Sequence, residues 1–202
     1  MTTQRSGTGE TEKGMADVEY CPHSGYFLSP QEVDGRKRPA CAACGYVFWN
    51  VPIPVVAAIV ERGEKILLAR KRRWPPGRWA LFAGFPESRE TMEEAVLREV
   101  YEEASLKGEV LGLVGVYSLP RRNQVFIVYR LRVAGGKVNV GEELEAIREF
   151  GRDELPAVLE HLPPQAGAAR ALRDWLQMEA VVHGRFAKQP TCPPRGHRKG
   201  GK

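Results

Sequence analysis

Residues 84–106 read GFPESRETMEEAVLREVYEEASL, from Gly84 to Leu106. The stretch opens on a glycine in a turn and closes in a helix crowded with carboxylates. Thr91 followed three residues later by Glu94 is a capping box, which predicts a helix starting at that threonine. At about 100° per residue, Glu99, Glu102 and Glu103 fall on one face. Val96, Leu97, Val100 and Ala104 fall on the adjacent face, where the helix would dock. Carboxylates crowded beside a buried face repel one another, and a cation relieves such crowding. Oxygen ligands from one or two helix turns suit Mg²⁺ or Mn²⁺, which keep waters and bind phosphates. An acidic face left to solvent is the plainer alternative.

The spacing resembles the Nudix hydrolase signature, G-x5-E-x7-R-E-U-x-E-E-x-G-U with U aliphatic. Gly84, Glu90, Arg98, Glu99, Val100, Glu102, Glu103 and Leu106 match it in register. Ser105 stands where the family has glycine, and Arg89 replaces a frequent glycine. Near a helix C-terminus a serine in place of glycine would cost about 1 kcal/mol, a matter of stability rather than of a lost ligand. The resemblance implies an α/β fold, the Nudix α/β/α sandwich with a mixed β-sheet. It also implies metal-dependent hydrolysis of a diphosphate linkage. In that reading Glu99, Glu102 and Glu103 hold the metal ions, Arg98 orients the carboxylates and Glu90 supports the loop–helix geometry. Gly84 would let the backbone bend closely around the metals. Glu102 or Glu103 is the expected base for the catalytic water, ahead of Glu145.

Upstream, Cys41-x2-Cys44-Gly45 reads as one knuckle of a zinc ribbon. Its partner reads Cys21-Pro22-His23-Ser24-Gly25, with Ser24 where a second cysteine belongs. A serine hydroxyl stays protonated at neutral pH and is a poor zinc ligand. His23 is therefore the expected fourth ligand of a structural Cys3His site, a ribbon without metal being the alternative. Nudix enzymes with such a ribbon include pyrophosphatases of NADH- and FAD-type dinucleotides, which the chain resembles over roughly residues 20–160. The NADH-specific motif S-Q-P-W-P-F-P-x-S does not follow the signature. Tyr117-Ser118-Leu119-Pro120 instead places a proline about where ADP-ribose-cleaving relatives have one. ADP-ribose is thus the first expected substrate, with FAD or NADH next and nucleoside triphosphates lower.

Working outward, Val55–Val60 and Lys65–Leu68 read as strands around an Arg62-Gly63-Glu64 turn. Glu109–Leu119 and Gln124–Val133 read as strands joined by Pro120–Asn123, with Ala134–Gly136 as a turn. Gly141–Glu145 looks like the acidic E-x-x-E-A segment near the end of Nudix domains, where Glu145 is a candidate to assist the water; an exposed acidic loop is the alternative. Ala166–Met178 reads as a final helix. The run Arg70–Arg73 is either solvated or turned towards substrate phosphates. Phe48, Trp49, Tyr117 and Phe126 are the candidates for stacking on a base.

A chain of 202 residues has room for one domain and an appendage. The expected division is a disordered start (1–17), a ribbon (18–50), a Nudix domain (51–179) and a flexible basic tail (180–202). That tail holds six of the 30 basic residues and no acid, leaving 24 basic against 25 acidic residues elsewhere. The formal charge of +5 therefore does not argue for a nucleic-acid-binding domain. Cys192 and His197 fall in the tail and are not expected ligands. No apolar run approaches the roughly 20 residues of a membrane helix, and the start lacks a signal peptide's apolar core. A cytoplasmic protein acting on a small-molecule nucleotide is expected, with neither membrane nor nucleic acid as partner and a homodimer left open. The rival readings are a ligand sensor or nucleic-acid-binding regulator on the same fold, and an RNA-end decapping hydrolase.

Overall fold

The computed structural model of the protein describes residues 18–182. The expected disordered start and the tail from residue 183, with Cys192 and His197, lie outside the described residues. Strand β3 (Ile53–Arg62) is the centre of the molecule, and Val55 to Val60 are all buried. It pairs in parallel with β7 (Gln124–Gly136) and antiparallel with β4 (Lys65–Lys71) and β5 (Phe82–Gly84). With β6 (Leu106–Leu119) and β8 (Leu144–Phe150) at the edges, the sheet runs β6-β7-β3-β4-β8, β5 pairing with β3.

Burial on both faces explains why these strands carry apolar runs instead of an alternating pattern. Val56, Ala58 and Val60 point to one side, where α1 (Met92–Ala104) packs through Ala95, Val96, Val100 and Ala104. Ala57 and Ile59 point to the other, against α2 (Leu155–Glu160) and α3 (Gly167–Val182), which contribute Leu155, Val158, Leu172 and Trp175. The result is the expected α/β/α sandwich.

Helix α1 begins where the capping box placed it. Thr91 Oγ1 accepts from the Glu94 N–H at 3.1 Å, and Glu94 Oε2 accepts from the Thr91 N–H at 2.8 Å. Burying Val96 and Val100 stabilises the docked helix by about 1.5–3 kcal/mol each. Like-charge repulsion between carboxylates one turn apart costs only a few tenths of that, so packing wins and the acidic face survives. The helix stops at Ser105, in the left-handed region at φ 56°.

Two segments differ from the sequence reading. Ala134–Gly136 is no turn: β7 continues to Gly136, which pairs with Leu106. The acidic stretch expected near Glu145 runs into an edge strand, β8, paired antiparallel with β4.

Ahead of the sandwich, β1 (Ser29–Val33) and β2 (Arg36–Ala40) form a separate hairpin. It joins two knuckles of matching geometry. Gly25 N–H donates to Cys21 O and Gly45 N–H to Cys41 O, each at 2.9 Å. No helix among the described residues is long and apolar enough to cross a membrane.

Candidate active site

The acidic face of α1 lines a groove of about 530 Å³, together with the Gly84–Glu87 loop and the Gly141–Leu144 segment. Arg98 fixes its geometry. The guanidinium donates twice to Glu90, through Nε at 2.8 Å and Nη2 at 3.0 Å. It also donates to Glu99 at 2.9 Å, to Glu102 at 3.2 Å and to the Phe85 carbonyl at 3.0 Å. One planar fork thus ties the loop to three carboxylates of the signature. Glu90 in turn accepts the Glu87 N–H at 2.9 Å, and the two donors hold its carboxyl below the usual range, Arg98 most of all.

Glu103 lies deeper. It accepts the Ala83 N–H at 3.2 Å and faces Lys71 Nζ at 3.6 Å. Burial pushes its carboxyl up to about 7, with Lys71 and the Ala83 N–H opposing and the nearby Glu99 adding to the rise. Gly84 stands directly against Glu99, a contact that only a residue without a Cβ permits.

The structure therefore brings Gly84, Arg98, Glu99, Glu102 and Glu103 to one groove, with Glu90 behind Arg98. Glu145 is placed elsewhere: it pairs with Arg70 at 2.7 Å, and its neighbours Glu142 and Glu143 line the groove instead. Glu142 and Glu143 lie in the turn before β8, whereas Glu145 lies in the strand paired with β4. Of the basic run, Lys71 lines the groove, while Arg72 donates to the Glu142 carbonyl. Among the stacking candidates, Phe48 packs on the ribbon core, Trp49 lies under Arg38, and Tyr117 is buried with its hydroxyl on Asp174. Phe126 lines a second cavity, which adjoins the groove and is larger than it. The sequence reading did not single out Arg78, Arg121, Arg122 or Arg170, which line the same cavity.

In the ribbon, the sulfur atoms of Cys21, Cys41 and Cys44 lie within 4.8 Å of one another. Ser24 Oγ is 3.3 Å from Cys41 Sγ, beside the three sulfur atoms. His23, the expected fourth ligand, is exposed, stands outside the three-sulfur group and rests its ring on Tyr46 at 4.9 Å. The reason is the matched knuckles: Ser24 occupies in the first the position that Cys44 occupies in the second. The Ser24 hydrogen bond holds the Cys41 thiol down at about 6, burial opposing and two backbone N–H groups assisting.

The NUDIX domain profile matches residues 51–176. An ADP-ribose pyrophosphatase of Methanocaldococcus jannaschii is 40% identical over 116 residues, 55% of this chain and 69% of that protein. A protein of Pseudomonas aeruginosa named NAD-capped RNA hydrolase NudC is 31% identical over 156 residues, 77% of this chain. The match covers 54% of that relative, so the chain spans about half its length. The crystal structure of a NUDIX hydrolase from Nitrosomonas europaea has a TM-score of 0.72 at 28% identity, covering 85% of this chain and 97% of the other.

Proposed function

The chain belongs to the NUDIX domain family, and from that premise we propose that it hydrolyses the diphosphate linkage of a nucleoside diphosphate joined to a second group. Water adds across the P–O–P bridge, leaving a nucleoside monophosphate and the phosphorylated second group. The observation that carries this reading is the set of Glu99, Glu102 and Glu103 around one groove, with Arg98 locked behind them.

The donor set fits divalent metal: all ligands are carboxylate oxygens, and Glu103 is largely buried with one N–H and a distant lysine for company. We assign Glu99, Glu102 and Glu103 to Mg²⁺ or Mn²⁺, which when bound supply charge neutralisation at the diphosphate and acidify water. Arg98 keeps the carboxylates in place, and Glu90 keeps Arg98 in place. Lys71, between Glu103 and Glu143, stands ready to meet a phosphoryl oxygen. Glu103 and Glu102 are the candidates to accept the proton of the attacking water, since Glu145 is tied to Arg70.

ADP-ribose ranks first among substrates, in keeping with the name of the Methanocaldococcus relative. The test is kcat/KM for ADP-ribose, FAD, NADH and nucleoside triphosphates with Mg²⁺ or Mn²⁺. A clear triphosphate preference overturns the ranking, and no turnover on any compound favours a ligand sensor. A second reading, hydrolysis at an RNA end, is favoured by the NudC relative's name; an NAD-capped oligonucleotide turned over faster than NADH would select it.

For the ribbon, residues 18–50, we propose one structural Zn²⁺ held by Cys21, Cys41 and Cys44, with the Ser24 hydroxyl at the fourth corner. Its free thiols suit a reducing compartment such as the cytoplasm.

A further inference from the structure

The groove shares Lys71, Ala83, Gly84 and Phe85 with a second cavity of about 970 Å³. Five cationic side chains line that cavity, Lys71, Arg78, Arg121, Arg122 and Arg170, and no carboxylate does. The arginines converge from three segments: the β4–β5 connection, the turn between β6 and β7, and the first turn of α3. None of the four pairs with a carboxylate among the described residues.

Each feature alone is ordinary, but together they lack an anion. Like charges converging on one cavity repel, most strongly where walls exclude water. Arg170 occupies the first turn of a helix, where the backbone dipole disfavours a cation. Arg78 Nε is buried without a hydrogen-bond partner among the described residues, a desolvation cost that a partner would offset. The guanidinium carbons of Arg78 and Arg170 lie over the Trp74 and Tyr117 rings, at 4.5 and 4.9 Å from the ring centroids. A cation held over a ring face makes no hydrogen bond to it, so its N–H donors are not used up by the contact.

The cleaved diphosphate accounts for Lys71 but not for the four arginines, none of which lines the groove of the metal-binding carboxylates. An uncharged base and ribose need no cation, and Phe126 lines the same cavity. We propose that the second cavity takes a nucleoside whose ribose carries its own phosphate ester, outside the diphosphate that is cleaved. The proposal rests on the hydrolase reading for the position of that diphosphate, and it places a ribose-phosphorylated substrate ahead of the ADP-ribose that ranks first among the unphosphorylated ones.

Two substrate pairs differ by one ribose phosphate: NADPH with NADH, at the 2′ position, and coenzyme A with dephospho-coenzyme A, at the 3′ position. At least one phosphorylated member is expected to have a kcat/KM ~10-fold or more above its partner. Arg78→Met and Arg170→Met then lower the phosphorylated member's kcat/KM more than its partner's, and Arg170→Lys retains most of the preference. Equal kcat/KM within both pairs overturns the proposal, as do equal losses on both members. So does an effect confined to an NAD-capped oligonucleotide.

Calorimetry in EDTA with AMP, adenosine 2′,5′-bisphosphate and adenosine 3′,5′-bisphosphate needs no turnover. One bisphosphate is expected to bind ~10-fold or more tighter than AMP. Equal affinities, or no binding by any, overturn the cavity assignment, whereas tight bisphosphate binding without hydrolysis of any substrate overturns only the hydrolase reading.

Discussion

A Cβ on Gly84 would lie 2.0 Å from the carboxyl carbon of Glu99, so the glycine is required by the carboxylate packed on it. Its backbone needs no left-handed torsion, and Gly84 is absent from the positive-φ glycines. Gly84→Ala therefore pushes Glu99 out of register while leaving the sheet intact. A displacement of about 1 Å in such a site can cost ~10²-fold in rate. We expect kcat/KM to fall by that order with a circular dichroism spectrum like that of the unchanged protein. A variant with near-normal turnover would mean that the position of Glu99 is immaterial.

Glu90 makes its two charged hydrogen bonds with Arg98, whose remaining N–H groups reach Glu99, Glu102 and the Phe85 carbonyl. If Glu90 acts by holding Arg98, losing either residue has the same consequence. Glu90→Gln and Arg98→Lys should each lower kcat/KM substantially, and the double variant should be little worse than the poorer single one. Losses that multiply in a complete double-mutant cycle would assign Glu90 a separate role.

What the sequence revealed of this site follows from range. The helix start, the carboxylate face and the β3–β4 hairpin depend on residues a few positions apart, where capping and periodicity act. β8 was not legible because LEAIREF mixes charged and apolar side chains, and its strand character comes from pairing with β4. Spacing alone does not say that the chain turns at Glu142 and Glu143, which line the groove, and enters the strand before Glu145. Ser24 was set aside on ligand chemistry, although the knuckle backbone fixes its place. The arginines of the second cavity lie far apart in the chain, and only the fold brings them together.

Both signature departures at glycine positions sit in the left-handed region, Ser105 at φ 56° and Arg89 at φ 70°. An L-residue there is strained by about 1–2 kcal/mol, while glycine carries a larger entropy loss on folding that offsets part of the gain. Ser105→Gly is expected to raise stability by about 0.5–1 kcal/mol in urea unfolding. Arg89→Gly should act in the same direction. A loss of stability in both would show that their side chains make contacts that outweigh the strain.

Removal of divalent metal tests the carboxylate assignment directly. EDTA should abolish hydrolysis, and Mg²⁺ or Mn²⁺ should restore it. Glu102→Gln and Glu103→Gln, which keep shape but lose charge, should each lower kcat by at least ~10²-fold. Their melting temperatures should stay close to that of the parent protein. Near-normal turnover in both would remove these residues from the metal site.

The ribbon supplies the last prediction. Three sulfur atoms within 4.8 Å and Ser24 beside them form a set that is one thiolate short of a closed zinc site. Protein purified without chelator should carry about one zinc per chain. A neutral hydroxyl is a weaker donor than a thiolate, so Ser24→Cys should slow transfer of zinc to a colorimetric chelator. His23→Ala should leave that rate unchanged, because His23 rests on Tyr46 and not on the sulfur cluster. Cys41→Ser should lose the metal and unfold the ribbon without directly abolishing hydrolysis, since no ribbon residue lines the groove. Zinc release accelerated by His23→Ala, with Ser24→Cys having no effect, would return the fourth ligand to histidine.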